Sequence, residues 1–372
     1  MKEPSSEPIR PEWVPAGADP GKFTTSILSG TQHPSASARS PGARGGRPPP
    51  DPEWLSEGVL AGDRVRLARA ITLVESRAPA HQKAAQVVLQ NCLPHSGGSR
   101  RIGISGVPGS GKSTFIEAFG MHEIKEGRKI AVLAIDPSST RTGGSVLGDK
   151  TRMETLARES NAFIRPSPTG GTLGGVASRT RESMVLVEAA GFDTVVVETV
   201  GVGQSEVTLR SMVDFFLLLQ LAGAGDDLQG IKRGIMEIAD AIAVNKAEGA
   251  NRKRSEVAAG EFRRIFHYLL PYSEGWEPEV LLCSALTGDG IAEAAKTIER
   301  FLEQMRENGH LQRERKRQNA AWFETLVEEE ILKVFFRNED RRKAVIELKG
   351  QVEEEHIPVS VAIDRVRALL QD

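Results

Sequence analysis

Gly106-Val107-Pro108-Gly109-Ser110-Gly111-Lys112-Ser113 is the stretch on which the reading of this chain turns. It satisfies the spacing G-x-x-x-x-G-K-[ST] without a gap, and each part has a physical reason. Glycines let the backbone curl until its N–H groups point inward at an anion. Lys112 brings a mobile positive charge to the outer phosphates of a nucleotide, and the Ser113 hydroxyl can hold a Mg²⁺ ion. The flanks agree. Arg101 to Ser105 reads as a short buried strand. Ser113 to Lys125, with Thr114 in its first turn, reads as a helix whose N-terminus faces the phosphates.

Working outward, apolar runs alternate with helical patterns, which argues for a parallel sheet covered on both faces. Ile130 to Ile135 is the second strand and stops at Asp136. Asp193 to Val197 is the third and stops at Glu198. Asp214 to Leu221, Asp240 to Val244 and Val280 to Cys283 complete the set. The expected fold is α/β, a mostly parallel sheet flanked by helices over residues 96–308. Ligands in such sheets bind beyond the carboxyl ends of the strands, where polar and glycine-rich residues gather here. Two long connections, 137–150 and 166–179, are rich in Gly, Ser and Thr, a pattern common in functional loops.

A triphosphate hydrolase places carboxylates beside the loop to hold its metal, directly or through water. Asp136, Asp149 and Glu198 are the candidates. Glu198-Thr199-Val200-Gly201 resembles the second switch of GTPases, usually Asp-x-x-Gly, with Glu in place of Asp; Gly201 would bring its N–H to the γ-phosphate. The group that positions the attacking water normally follows that glycine at once. Val202 stands there, and Gln204 comes two residues later, so slow hydrolysis is expected unless a partner or a loop movement completes the site. Base recognition is expected from Asn245-Lys246-Ala247-Glu248, close to the pattern Asn-Lys-x-Asp, whose acid accepts hydrogen bonds from the guanine edge. Glu248 keeps the charge but adds a methylene. Ser284-Ala285-Leu286 follows at the next strand end, as a guanine-clasping loop does.

Composition bounds the rest. The 372 residues carry 48 basic and 50 acidic side chains, so nothing in the balance suggests nucleic acid. Cys92 and Cys283 form no metal or disulfide pattern, which suits a reducing compartment. No apolar run approaches the roughly 20 residues that span a bilayer, and Met1-Lys2-Glu3-Pro4 lacks the apolar core of a secretion signal. A cytoplasmic protein is expected. Residues 1–52 hold eleven of the twenty prolines and read as a disordered arm, with Trp13, Phe23, Ile27 and Leu28 as anchors if the arm docks. Residues 53–95 read as helices, with Leu55, Val59, Leu60, Val65, Leu67, Ala68, Ile71 and Val74 at helical spacing. In 309–372, a long charged helix from Leu311 to Asn338 carries Phe323, Leu326, Val327, Leu332, Val334, Phe335 and Phe336. A shorter one runs from Val359 to Leu370. These helices either pack on the domain or form a dimerisation arm.

Several longer stretches are similar to one GTPase family. They are 134–145, 148–153, 165–175, Glu198 to Glu206, and Gln229-Gly230-Ile231-Lys232-Arg233-Gly234. Glu57 to Arg64 and Ala70 to Glu75 belong with them. The family is the MeaB/MMAA-type chaperones of adenosylcobalamin-dependent acyl-CoA mutases, whose older label is arginine/ornithine transport ATPase. The resemblance covers 53 to about 300 strongly and the C-terminal arm weakly. It implies a P-loop GTPase, usually a homodimer through its C-terminal helices. Asp136, Asp149 and Glu198 match the family's magnesium acids, and GTP/GDP and Mg²⁺ would be its ligands. Three loops, one carrying Asp226, Asp227 and Lys232, would respond to nucleotide. The partners would be a mutase and an adenosyltransferase, with GTP hydrolysis gating cofactor delivery or exchange. Cobalamin itself would not be held, since no Asp-x-His-x-x-Gly pattern occurs. Two rivals are a transport-linked ATPase or kinase, which would bind adenine, and a metal-insertion GTPase, which would show His or Cys ligands near the sheet.

Overall fold

The computed structural model describes residues 50–76, 78–135, 153–166, 173–199, 205–223 and 233–370, all within one compact unit from Pro49 to Asp372. Three helices come first: α1 Pro52–Leu60, α2 Arg64–Glu75 and α3 Pro79–Cys92. Each begins where local chemistry favours a start. Asp51 caps α1 by accepting from Glu53 N, with Pro52 in the first turn. Asp63 caps α2 by accepting from Val65 N and Arg66 N at 2.8 and 3.1 Å. Those backbone N–H groups, Arg66 foremost, hold its carboxyl below the usual carboxylate range.

The alternating part follows: β1 Arg100–Gly106, α4 Lys112–Lys125, β2 Ile130–Ile135, α5 Glu154–Arg158, β3 Ala162–Arg165, α6 Leu173–Ala189 and β4 Thr194–Thr199. It continues with α7 Ser205–Arg210, β5 Phe215–Leu221, α8 Arg233–Glu237, β6 Ala241–Asn245, α9 Arg252–Tyr268, β7 Glu279–Leu282 and α10 Ile291–Glu307. The seven strands form one parallel sheet in the order β3-β2-β4-β1-β5-β6-β7. The α/β expectation holds, with two differences. Ala162–Arg165 is a strand that the hydropathy pattern did not mark; four residues at a sheet edge, paired with β2 at Ile130 opposite Ala162, are too short to show a period. The connection expected over 166–179 is already helical from Leu173.

The strands alternate side chains between two cores. Ile102, Ile104, Val196, Phe215, Leu217 and Leu219 face α4 and α10. Val195, Val197, Phe216, Leu218 and Val244 face the opposite core, which includes residues of α2, α3, α6, α7 and α9. Leu55, Leu67, Ile71 and Val74 are buried as the spacing predicts, whereas Leu60 and Val65 face water at 40% and 62% exposure. Cys92 and Cys283 are both free and buried. Among the described residues no helix is long and apolar enough to cross a membrane.

Three helices end the chain: α11 His310–Arg337, α12 Glu339–Glu353 and α13 Val359–Ala368. The charged run 339–353 was not expected to be helical; Asn338 starts it by accepting from Asp340 N and Arg341 N at 2.9 and 3.1 Å. Polar contacts fasten α11 at its base. Arg315 grips Asp214 with Nε and Nη2 at 2.7 and 2.6 Å and donates to the Ser99 carbonyl at 2.7 Å. Gln318 Nε2 donates to the Val213 carbonyl at 2.9 Å. Of the aromatic stripe expected on this helix, Phe335 is buried, while Phe323, Leu332 and Val334 are more than half exposed.

Burial pushes the Glu182 carboxyl, on α6, up to about 7, against the attraction of Arg179. A raised acid favours the protonated folded state, so its penalty is absent below the unfolded value. The penalty grows as pH rises towards 7 and is complete above it. Glu182→Gln should therefore raise the melting temperature by a few degrees at about pH 8 and change it little at about pH 4.5. Thermal melts at the two pH values check this.

Candidate functional site

The phosphate-loop sequence lies at the carboxyl end of β1, the central strand, between β4 and β5. Its first glycine is dictated by space. A Cβ on Gly106 would sit 2.4 Å from the Leu219 carbonyl oxygen and 2.9 Å from Ser110 Oγ. The turn tightens through Ser110 N donating to the Val107 carbonyl at 3.1 Å. Gly111 has φ 88°, and a Cβ there would meet Asn245 Nδ2 at 2.6 Å. Helix α4 starts at Lys112 with no side chain capping it, and a helix N-terminus so placed suits an anion. Lys112 Nζ donates to the carbonyls of Gly106 and Val107 at 2.7 and 3.3 Å. The cation is thus held over its own loop. Ser110 is wholly buried, and its Oγ has no hydrogen-bond partner.

The neighbouring strand end brings Glu198 beside the loop, with Ser113 Oγ donating to its Oε1 at 3.5 Å. A hydroxyl next to a carboxylate is an oxygen donor pair of the kind Mg²⁺ takes. Among the described residues no group of three or more His, Cys, Asp and Glu gathers as a metal site. Asp136, Asp149, Gly201, Gln204, Asp226, Asp227 and Lys232 lie outside the described residues.

On the other side, Asn245 ends β6 and acts as a clamp. Its Nδ2 donates to the Ser110 carbonyl at 2.8 Å, and its Oδ1 accepts from Ala285 N at 3.0 Å. One buried amide therefore joins the phosphate loop to the loop after β7. Lys246 follows in the left-handed region, φ 61°, with its side chain exposed. The Ala247 N–H donates to the Cys283 carbonyl at 3.0 Å, which tucks the turn under the sheet edge. Glu248 Oε2 is buried without a hydrogen-bond partner. Burial, with the charge of Glu248 adding to it, pushes the Cys283 thiol up to about 12. Ser284 Oγ accepts from Thr287 N at 3.2 Å and shapes its loop, while Leu286 is 80% exposed at the tip. The sequence-predicted Gly106 to Thr114, Glu198, Asn245 to Glu248 and Ser284 to Leu286 thus line one edge of the sheet. Three buried residues beside them carry no role of their own in the sequence reading, although Thr199 and Glu206 lie in the family-like stretch: Ser105, Thr199 and Glu206. The signal for Ser105 and Thr199 lies in the hydroxyls at the ends of two largely apolar strands.

A phosphate loop on a central parallel strand, clamped to an Asn-Lys-x-Glu turn, defines a P-loop GTPase. A family model described as "Methylmalonyl Co-A mutase-associated GTPase MeaB" matches residues 67–340, and the chain belongs to that family. A probable GTPase of Mycobacterium tuberculosis is 50% identical over 314 residues, 84% of this chain and 94% of that protein. GTPase ArgK of Escherichia coli is 52% identical over 279 residues, 75% of this chain and 84% of its own. A mouse protein named methylmalonic aciduria type A homolog, mitochondrial, is 45% identical over 291 residues, 76% of this chain and 70% of its own. The crystal structure of an LAO/AO transport system kinase is similar with a TM-score of 0.73 at 39% identity, covering 86% of this chain and 98% of that one.

Asn245→Ala removes both arms of the clamp. Nucleotide affinity should fall on the order of tenfold or more, since each lost bond costs about 1 kcal/mol and the loops lose register. Titration with fluorescent GDP measures it.

Proposed function

We propose that this GTPase is a chaperone of an adenosylcobalamin-dependent acyl-CoA mutase, using GTP binding and hydrolysis to gate cofactor loading and to protect or reactivate that enzyme. The observation that carries the nucleotide half is the Asn245 clamp, which ties the phosphate loop to the loop after β7, with the orphaned Glu248 oxygen three residues further along the same turn. A buried acceptor without a donor suits the two N–H groups of a guanine edge. The partner half is supported by the family's description and by the mouse relative's name. An adenosyltransferase would be the source of the cofactor.

The reaction is in-line attack of water on the γ-phosphate. The N–H groups of the loop and of the first turn of α4, Gly111 to Thr114, would bind the phosphates. Lys112, moving off the carbonyls of Gly106 and Val107, places its charge against the oxygens that become more negative. Ser113 and Glu198, with Asp136 and Asp149, would hold Mg²⁺. When bound, that ion neutralises phosphate charge. Gln204 is our candidate for orienting the water, and its displaced position in the motif underlies the expected slow turnover. The older kinase label would require adenine, which offers Glu248 no matching pair of donors.

We assign residues 309–372 as a dimerisation arm of a homodimer, on the strength of Phe323, Ile331, Leu332 and Val334, each more than half exposed on α11. Residues 53–95 would be a helical flank, and 96–308 the GTPase domain. Two buried free thiols favour the cytoplasm.

Lys112→Ala should abolish hydrolysis, by about 100-fold or more, with the melting curve unchanged; wild-type turnover in that variant would sink the site assignment. For the partner, the GTP-loaded chain should retain an acyl-CoA mutase on a column and release it on hydrolysis. Equal retention without nucleotide, or none at all, would count against the chaperone reading.

A further inference from the structure

We infer that Glu206 is a positioning residue of the hydrolytic site: its buried carboxylate holds the start of α7 and the end of β4 against the strand that becomes the phosphate loop. The inference rests on the hydrolytic reading given above.

Glu206 is 2% exposed. A carboxylate so placed is costly unless hydrogen bonds compensate it. Its Oε1 accepts from Ser105 Oγ and its Oε2 from Ser205 Oγ, both at 3.4 Å. Ser105 Oγ in turn accepts from Thr199 Oγ1 at 2.9 Å. Ser105, Thr199 and Ser205 are fully buried. The register makes this a continuous row: Ile104 lies opposite Glu198, so Ser105 and Thr199 are the next pair across β1 and β4. Gln220, at the end of β5, extends the polar layer, with its Oε1 buried and unpartnered.

Deeper along the same face the sheet is apolar. There Leu209 and Val213 close on Gly103, where a Cβ would come within 3.0 and 2.9 Å of them. Helix α7 is therefore held at its carboxyl end by these hydrocarbon contacts and by buried Arg210, which pairs with Asp240 and donates to Ser273 and the Asp214 carbonyl. At its first turn it is held by the hydrogen bonds of Glu206. Hydrocarbon contacts tolerate small rotations, whereas an ordered chain of donors and acceptors does not. Thr199 donates to Ser105 and Ser105 donates to Glu206, so the row runs in one direction, from β4 through β1 to the first turn of α7.

The row touches both halves of the chemistry. Ser105 immediately precedes Gly106, whose carbonyl carries Lys112 Nζ. Thr199 immediately follows Glu198, which faces Ser113. One carboxylate thereby sets the spacing between the strand end bearing Glu198 and the strand end bearing the phosphate loop. A misplacement of about 1 Å in such a constellation costs on the order of 100-fold in rate.

The test compares the full chain with Glu206→Gln, Glu206→Ala, Ser105→Ala and, as a control, Lys112→Ala. Single-turnover GTP hydrolysis, GDP affinity and thermal melting are read together. Positioning predicts that Glu206→Ala and Ser105→Ala each lose on the order of 10- to 100-fold in the hydrolysis rate, with GDP affinity held within about threefold. Glu206→Gln, which keeps an acceptor for Ser105, should recover most of that loss. If Glu206→Ala does not fold, Ser105→Ala and Glu206→Gln decide. The proposal is overturned if the folded variants hydrolyse GTP within about threefold of wild type, or if rate, GDP affinity and melting temperature fall together, which marks a purely structural carboxylate. Failure of the Lys112→Ala control to lose hydrolysis would instead overturn the underlying site reading.

Discussion

Between Gly106 and the Leu219 carbonyl there is no room for a side chain, since a Cβ would lie 2.4 Å from that oxygen. The backbone passes so close because β1 stays paired with β5 to its last residue, with Gly106 opposite Leu219. The chain can then turn over the sheet edge and start α4 with no side chain capping it, its N-terminus facing the loop. Everything else at the site is referred to that turn. Asn245 reaches it from β6, Glu198 from β4, and Ser105 lies directly beneath it. A parallel sheet suits this arrangement because all its strands deliver their carboxyl ends to one edge.

Polar groups inside this molecule set geometry more than they add stability. The Asn245 amide and the Ser105–Glu206 row are buried and the Arg315–Asp214 grip is part-buried, and each joins segments far apart in sequence. Apolar packing on the two sheet faces supplies the driving force for folding but specifies position only loosely. Directional bonds then choose one arrangement among those that the packing permits. The C-terminal arm shows the same division. Arg315 and Gln318 fix its base to Asp214 and Val213, while much of the apolar surface beyond is turned outward.

The phosphate loop, six of the seven strands and the Asn-Lys-x-Glu turn were legible in the residues themselves. Each is encoded locally, by a glycine spacing, an apolar run or a turn signal within about ten residues. β3 was not, because four edge residues carry no readable period and become a strand only by pairing with β2. α12 was not either, because its charged run has no continuous apolar stripe and owes its start to the Asn338 cap. The exposure of Leu60 and Val65 likewise depends on where α1 and α2 settle, which helical spacing cannot say.

What the amino-acid order determined alone is therefore the class of fold, the phosphate loop and the residue types at its margins. Those properties follow from backbone freedom, charge and hydropathy over short stretches. Tertiary structure decided the relations among them: that Asn245 clamps Ser110 to Ala285, that Lys112 rests on its own loop, and that Glu206 lies behind Ser105. The Asn245 clamp and the Glu206 contact join residues 40 to 135 positions apart, which only the sheet order brings together, whereas Lys112 meets Gly106 through the turn of the loop itself.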